Sequence, residues 1–371
     1  MSIFKRFGFL FSYSIPVIIL ASFYLPSGHW TFAASMYSYL FVSLIDLAIG
    51  KDKNNVLKAK FETLVNDRYF DFLVYSHVYI QYFLLLWTAY VLSTETLTTF
   101  EIYGLLVSQG VYAGTIINVA HELGHRSSRL AQLHAKAALI SVAYIHFIVE
   151  HNRGHHVHVA TPRDPATSKK NQSLYAFWVQ SIVGSFKSAW SIERKLSEKY
   201  GYKFLSLQNQ IIKGHAITIV LFLSITAASS LLIGKFSLLV LFALCAQAVL
   251  AILLLEAVNY VEHYGIVRRE ISPNKYEKVN PLHSWNANHF YSNLLLFNLQ
   301  RHSDHHAYAA RPYQVLRHFD ESPQLPFGYP LMILMATLPP VFIPLMNRKL
   351  EVWQENAFDD EHIKKVVAQF A

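Results

Sequence analysis

Residues 237–265 read SLLVLFALCAQAVLAILLLEAVNYVEHYG, an apolar run that passes directly into a polar motif containing His263. About 20 consecutive apolar residues wound as a helix fill a hydrocarbon core of ~30 Å. The run at about 237–258 therefore reads as a membrane span with a histidine just beyond its end. Comparable runs lie at about 7–25, 30–49, 72–92, 103–120 and 214–233, six in all. Composition agrees: of 371 residues, 53 % are hydrophobic, 15 % aromatic and only 15 % charged, far from a typical soluble domain. The expectation is an all-α polytopic membrane protein of six transmembrane helices. Its helical cytoplasmic cap is expected at about 121–213 and 259–371, with residues 1–371 forming one integral-membrane domain. The first run is not read as a cleavable signal peptide, because a second span follows closely without a clean small-residue cleavage site.

Two further apolar stretches are not expected to cross. The stretch 131–149 contains His134, Lys136 and His146, and 329–346 contains Pro330, Pro339, Pro340 and Pro344, which interrupt a helix. Crossing at 131–149 would also put histidine motifs on opposite faces of the bilayer. Basic residues orient the whole. Lys5, Arg6, Lys51, Lys53, Lys58, Lys60, Arg68, Arg126, Arg129, Arg268 and Arg269 fall on one side, whereas PSGH (26–29) and TETLTTFE (94–101) carry no Lys or Arg. The positive-inside rule then places both termini and every histidine cluster in the cytoplasm.

Nine of the nineteen histidines form four clusters: His121 and His125 in HELGH, His151, His155 and His156 in HNRGHH, His263 in NYVEHYG, and His302, His305 and His306 in HSDHH. Residues four apart share a helix face, so His121/His125, His151/His155 and His302/His306 each converge on a point. Adjacent residues diverge by about 100°, so the doublets His155/His156 and His305/His306 can each reach two neighbouring metals. One zinc uses three or four protein ligands, and nine imidazoles suit two first-row ions.

HELGH alone also fits the HExxH helix of zinc proteases, with Glu122 as base, but seven further clustered histidines exceed that need. A metal transporter would carry its ligands near the bilayer midplane, whereas these clusters lie at or beyond span ends. The single cysteine, Cys245, excludes disulfides and Cys-ligated clusters within the chain, and no GxGxxG or P-loop is present. Electrons for redox chemistry would arrive from another protein.

HELGHR (121–126), EHNRGHHVHVATPRDPA (150–166), NYVEHYG (259–265) and LQRHSDHHA (299–307) resemble the histidine motifs of membrane alkane 1-monooxygenases, the alkane omega-hydroxylases of the non-haem di-iron desaturase/hydroxylase superfamily. The resemblance implies two iron ions held by the nine clustered histidines. It also implies O2-dependent hydroxylation of the terminal methyl of medium- or long-chain n-alkanes in a bacterial inner membrane. Electrons would come from NADH through a rubredoxin reductase and a separate rubredoxin, since a fused rubredoxin needs four cysteines. Net charge +8 suits an acidic donor, and equally suits positive-inside topology and anionic lipid. Hydroxylation of alkylbenzene methyl groups or fatty acyl chains is the alternative within the superfamily. No nucleic acid partner is expected.

Candidates to accept the distal N–H of a ligand histidine are Glu122, Glu150, Asp164, Asn259, Glu262 and Asp304, with Glu122, Glu262 and Asp304 first because each adjoins a ligand. Arg153 and Arg301 are candidates to neutralise those carboxylates or to meet the electron donor. Substrate-channel candidates are Tyr37, Tyr39 and Phe41, bulky enough to end a channel, and Gly110 and Gly114, a small-xxx-small pair.

Overall fold

The computed structural model describes residues 1–25 and 29–370. Residues 26–28 of the PSGH loop, part of the charge comparison above, lie outside the described residues. The described chain is predominantly helical with almost no sheet, and five helices are long and apolar enough to cross a membrane: α1 (Ile3–Phe23), α3 (Arg68–Thr94), α4 (Thr99–Gly124), α8 (Gln210–Ile233) and α9 (Leu238–His263). The run near 30–49 forms a shorter apolar helix, α2 (Ala33–Ile49), with a π-helical turn at Tyr37–Phe41.

Local sequence sets the ends of these helices. Thr98 and Glu101 form a capping box at the start of α4. Asp67 caps α3 by accepting from the Tyr69 amide at 3.0 Å, and Asn209 caps α8 by accepting from Ile211 and Ile212. Gly234, at φ +69°, ends α8 in the left-handed conformation that glycine adopts without a Cβ penalty.

Helices α4 and α9 pack along most of their length and form the centre of the bundle. A Cβ on Gly110 would lie 2.6 Å from the Leu250 Cβ, so glycine is what permits this approach. Both helices continue past their apolar stretches, α4 through His121 and α9 to His263. The first ligands thus ride on the last turns of rigid spans and not on a separate cap.

The stretch 131–149 makes no continuous helix. Helix α5 (Arg129–Ser141) packs back against α4, the chain turns at Ala143 (φ +55°), and α6 (His146–Glu150) begins. Ala131, Ala135, Ala138 and Leu139 are fully buried in that packing. The long helix α7 (Leu174–Tyr200) lies against α6 and α9.

After α9 the chain departs from the helical cap expected there. Gly265 at φ +71° and a turn at Asn274 (φ +61°) break the helix, and strands β1 (Glu270–Ser272) and β2 (Lys275–Tyr276) pair antiparallel. The short helices α10 (Phe290–Leu295) and α11 (His302–Ala307) follow. Helices α12 (Tyr329–Ala336) and α13 (Pro339–Asn356) are separated at the prolines, and α14 (Asp360–Phe370) ends the described chain.

Candidate metal centre

Four segments converge at the shared end of α4 and α9. Helix α4 brings His121 and His125, and α9 brings His263. The π-helical turn after α6 brings His151 and His155, followed by His156, and α11 brings His302, His305 and His306. The nine rings fall into two groups: His121, His125, His151, His156 and His305 in one, His155, His263, His302 and His306 in the other, with the ligand atoms of each group within 4.8 Å of one another. Each doublet is divided between the groups.

The spacing within the groups fits metal ions. Nε2 atoms lie 2.8 Å apart in His121/His305, 3.0 Å in His151/His156, 3.3 Å in His156/His305, 2.9 Å in His302/His306 and 3.3 Å in His263/His302. Imidazole nitrogens held at ~2.1 Å and at right angles on one ion stand about 3.0 Å apart. Hydrogen bonding alone does not account for the cluster. The His305 Nε2 faces two other Nε2 atoms, as does that of His302, and neutral rings cannot donate across every such contact. Nε2 of His125 and of His155 is buried without a hydrogen-bond partner among the described residues.

Burial favours the neutral form of most of these rings, the form that can bind a metal. His125 is lowered to about 4 by burial and by the charge of His155, and His151, His156, His302, His305 and His306 are lowered further by burial and by neighbouring imidazoles. His155 is the exception. Burial opposes its charge, but the Asp164 carboxylate, hydrogen-bonded to its Nδ1 at 3.0 Å, raises it overall. That bond fixes the tautomer and leaves Nε2 free to ligate.

Asp164 is itself held by the Ala166 amide at 3.0 Å and the Thr167 hydroxyl at 2.5 Å. Asp164→Ala is expected to weaken metal retention by about 10- to 100-fold, and Asp164→Asn, which keeps an acceptor, by less. Metal content after graded chelation measures both, and equal retention in wild type and Asp164→Ala would remove Asp164 from this role.

The other carboxylates are placed differently. Glu262 Oε1 lies 3.3 Å from His302 Nδ1, within ion-pair reach but not aligned as a hydrogen bond. Glu122 is held by Arg126, whose Nη2 donates at 2.9 Å, because it lies about 100° around α4 from His121. Asp304 receives the guanidinium groups of Arg311 and Arg317 and braces α11. Glu150 accepts from Ser188 at 3.2 Å and is pushed up to about 8, first by burial and then by the charge of Asp164.

Asn259 donates to Glu256 at 3.1 Å, and the same buried carboxylate accepts from Tyr144 at 2.7 Å and from Ser181. Glu256 was not among the sequence candidates, although a carboxylate within an apolar span is itself a signal. Arg301 is buried and donates to the carbonyls of Leu316, Asp52 and Asn54, so it joins α11 to the chain after α2, whereas Arg153 is exposed.

An apolar cavity lies between α2, α4, α9, α10 and α12, with Tyr39, Val111, Gly114, Leu295 and Ile333 among its walls. It shares Asn118, Leu255, Val258 and Leu299 with a narrow space that reaches His121, His151 and His302. Of the channel candidates, Tyr39 and Gly114 line the cavity. Gly110 serves the helix contact, Phe41 is exposed, and the Tyr37 hydroxyl is bonded to Tyr291 at 2.6 Å and to Ser14 at 2.8 Å.

Comparison with known proteins adds to this geometry. Residues 97–334 match the fatty acid desaturase family. The chain is similar to alkane 1-monooxygenase 1 of Alcanivorax borkumensis, 37 % identical over 99 % of this chain and 90 % of that one. It is similar also to an alkane 1-monooxygenase of Pseudomonas putida, 39 % identical over 88 % and 82 %. Similarity to the xylene/toluene monooxygenase hydroxylase component of Pseudomonas putida is lower, 26 % identical over 69 % of this chain and 66 % of that one.

Proposed function

As the chain belongs to the fatty acid desaturase family and, within it, to the alkane 1-monooxygenases, we propose that its two histidine groups each hold an iron ion and serve substrates entering through the apolar cavity. The enzyme hydroxylates n-alkanes at the terminal methyl group. When bound, iron supplies the activation of O2 through which R–CH3, O2, two electrons and two protons become R–CH2OH and water. The residues do the rest. The cavity excludes water and admits a chain end past Val258 and Leu299, and Asp164 keeps His155 oriented. A primary C–H bond is stronger than a secondary one, so terminal selectivity rests on presentation of the methyl end.

The observation that carries this reading is a predominantly apolar cavity that shares walls with the space beside the two imidazole clusters. The higher identity and coverage of the alkane relatives favour alkanes over alkylbenzenes and acyl chains. A redox partner is required, and rubredoxin with its NADH-dependent reductase is the proposed donor, since this chain has one cysteine. The proposed setting is the bacterial inner membrane, with α2 as a sixth span, one domain throughout, and both termini and the site facing the cytoplasm. In the test, iron-loaded protein is reconstituted with rubredoxin, its reductase, NADH and octane. Iron- and O2-dependent 1-octanol is expected. Its absence from a preparation that hydroxylates an alkylbenzene or a fatty acid would overturn the alkane assignment.

Chain length is proposed to be limited at Tyr39. Packing of Thr31 and Phe32 around Gly104, and donation from the Ser35 amide to Ser108 at 3.3 Å, set α2 in register with α4. Further along, Tyr39 shares the cavity wall with Val111 and Gly114 of α4, and Val111 lies ten residues before His121, which is roughly 15 Å along a helix. Tyr39→Ala is expected to shift product formation toward longer alkanes in a mixed-chain assay, and an unchanged product profile would place the end of the channel elsewhere.

A further inference from the structure

Helix α7 turns an apolar stripe outward. Tyr175, Val179, Val183 and Phe186 are 41–68 % exposed at the spacing of one helix face. Tyr200, Leu205 and Leu207, at and beyond its end, are exposed too. In water such a surface is unfavourable, whereas a helix lying in the membrane interface buries it among acyl chains. The depth agrees. Glu193 of α7 accepts from the Gln210 amide at 3.1 Å and from the Tyr202 hydroxyl at 2.8 Å, so this part of α7 is level with the first turn of span α8, where lipid headgroups begin.

At that level an open groove is lined by Phe186, Lys187, Trp190, Ser191, Arg194 and Phe204. No ion pair engages Lys187 or Arg194 among the described residues. The Arg194 guanidinium lies 5.1 Å from the centre of the Phe204 ring. The Trp190 indole N–H has no acceptor among the described residues, and Glu193 faces α8 and not the groove. Two uncompensated cations, an indole and aromatic walls at headgroup depth, beside an exposed apolar stripe, are complementary to an anionic amphiphile.

We propose that this groove binds an anionic phospholipid, with its phosphodiester between Lys187 and Arg194 and its acyl chains along Val179 and Val183. The lipid would tie α7 to the membrane surface. Phe186 packs on His146 at 5.1 Å between ring centres, so it would brace the start of the segment that carries His151, His155 and His156.

The test uses iron-loaded protein in a non-ionic detergent, titrated with phosphatidylglycerol bearing brominated acyl chains or with brominated phosphatidylcholine. Emission from Trp190 is taken as the difference between wild type and Trp190→Phe. Phosphatidylglycerol is expected to quench that emission at a concentration lower by about tenfold or more. The double variant Lys187→Glu/Arg194→Glu is expected to lose the preference while keeping its metal content, and inorganic phosphate is expected not to displace the lipid. Equal quenching by the two lipids, an undiminished preference in the double variant, or displacement by phosphate alone would each overturn the proposal. The wild-type comparison decides even where the double variant fails to fold.

Discussion

Replacing His263 with alanine is expected to lower iron from the proposed two ions per chain to about one and to abolish octane hydroxylation. His263 is fully buried and belongs to the smaller group, with His155, His302 and His306. Its loss leaves three imidazoles on that side and the other group intact. His125 is partly exposed and belongs to the group of five. His125→Ala leaves four imidazoles on its ion, so most of the iron should remain while activity falls. Because metal binding is linked to folding, the His263 variant should also melt earlier than wild type, and the difference should shrink after iron is removed from both. Iron analysis of the two purified variants decides the matter. Equal loss of both ions from each would show that the histidines act as one cooperative set and would sink the division into groups of five and four.

That division was only half legible in the sequence. The two doublets predict two neighbouring centres, because adjacent helical residues diverge. The spacings His121/His125 and His302/His306 do converge, but His151 and His155, also expected to share a centre, are divided between the groups where the π-helical turn replaces the α-helical one. Which ring joins which centre depends on how α4, α9, α11 and the π turn after α6 cross, and no single segment encodes that. The supporting carboxylates show the same limit more sharply. Glu122 and Asp304 adjoin clustered histidines in sequence but are turned to Arg126 and to the Arg311/Arg317 pair, whereas Glu262, equally adjacent to His263, lies 3.3 Å from His302 Nδ1. Asp164, nine residues after His155, comes back to it because the chain turns through Thr161, Asp164 and Thr167.

At the level of the fold, hydrophobic run length finds the five long apolar helices to within about five residues, because bilayer thickness fixes how much apolar helix is needed, but it does not find the equally long, more polar α7. The proline-rich break between α12 and α13 was legible as well, since proline has no amide to donate. The hairpin at 270–276 was not foreseen, although Pro273 and Asn274 are turn residues, because the cap was expected to be helical throughout. The cavity was the least legible feature. Its walls come from α1, α2, α4, α9, α10 and α12, and only packing brings them together.

The cavity yields the second large effect. Val258→Phe is expected to cut 1-octanol formation by about 100-fold with iron content unchanged, since misplacing a reacting group by about 1 Å can itself cost that much. Val258, with Leu255, is a wall of α9 common to the cavity and to the space beside His121, His151 and His302, and it lies outside both histidine groups. A phenyl ring there narrows the passage without removing a ligand. Val258→Ala does the reverse. A wider throat lets the penultimate carbon approach the metals, and its weaker C–H bond then competes, so 2-octanol should appear beside 1-octanol. Terminal selectivity that survives in Val258→Ala, together with normal turnover in Val258→Phe, would show that substrate reaches the metals by another route. The opposite pair of results would locate the control of regiochemistry in the last turn and a half of α9 before His263, where a hydrocarbon wall meets the ligand set.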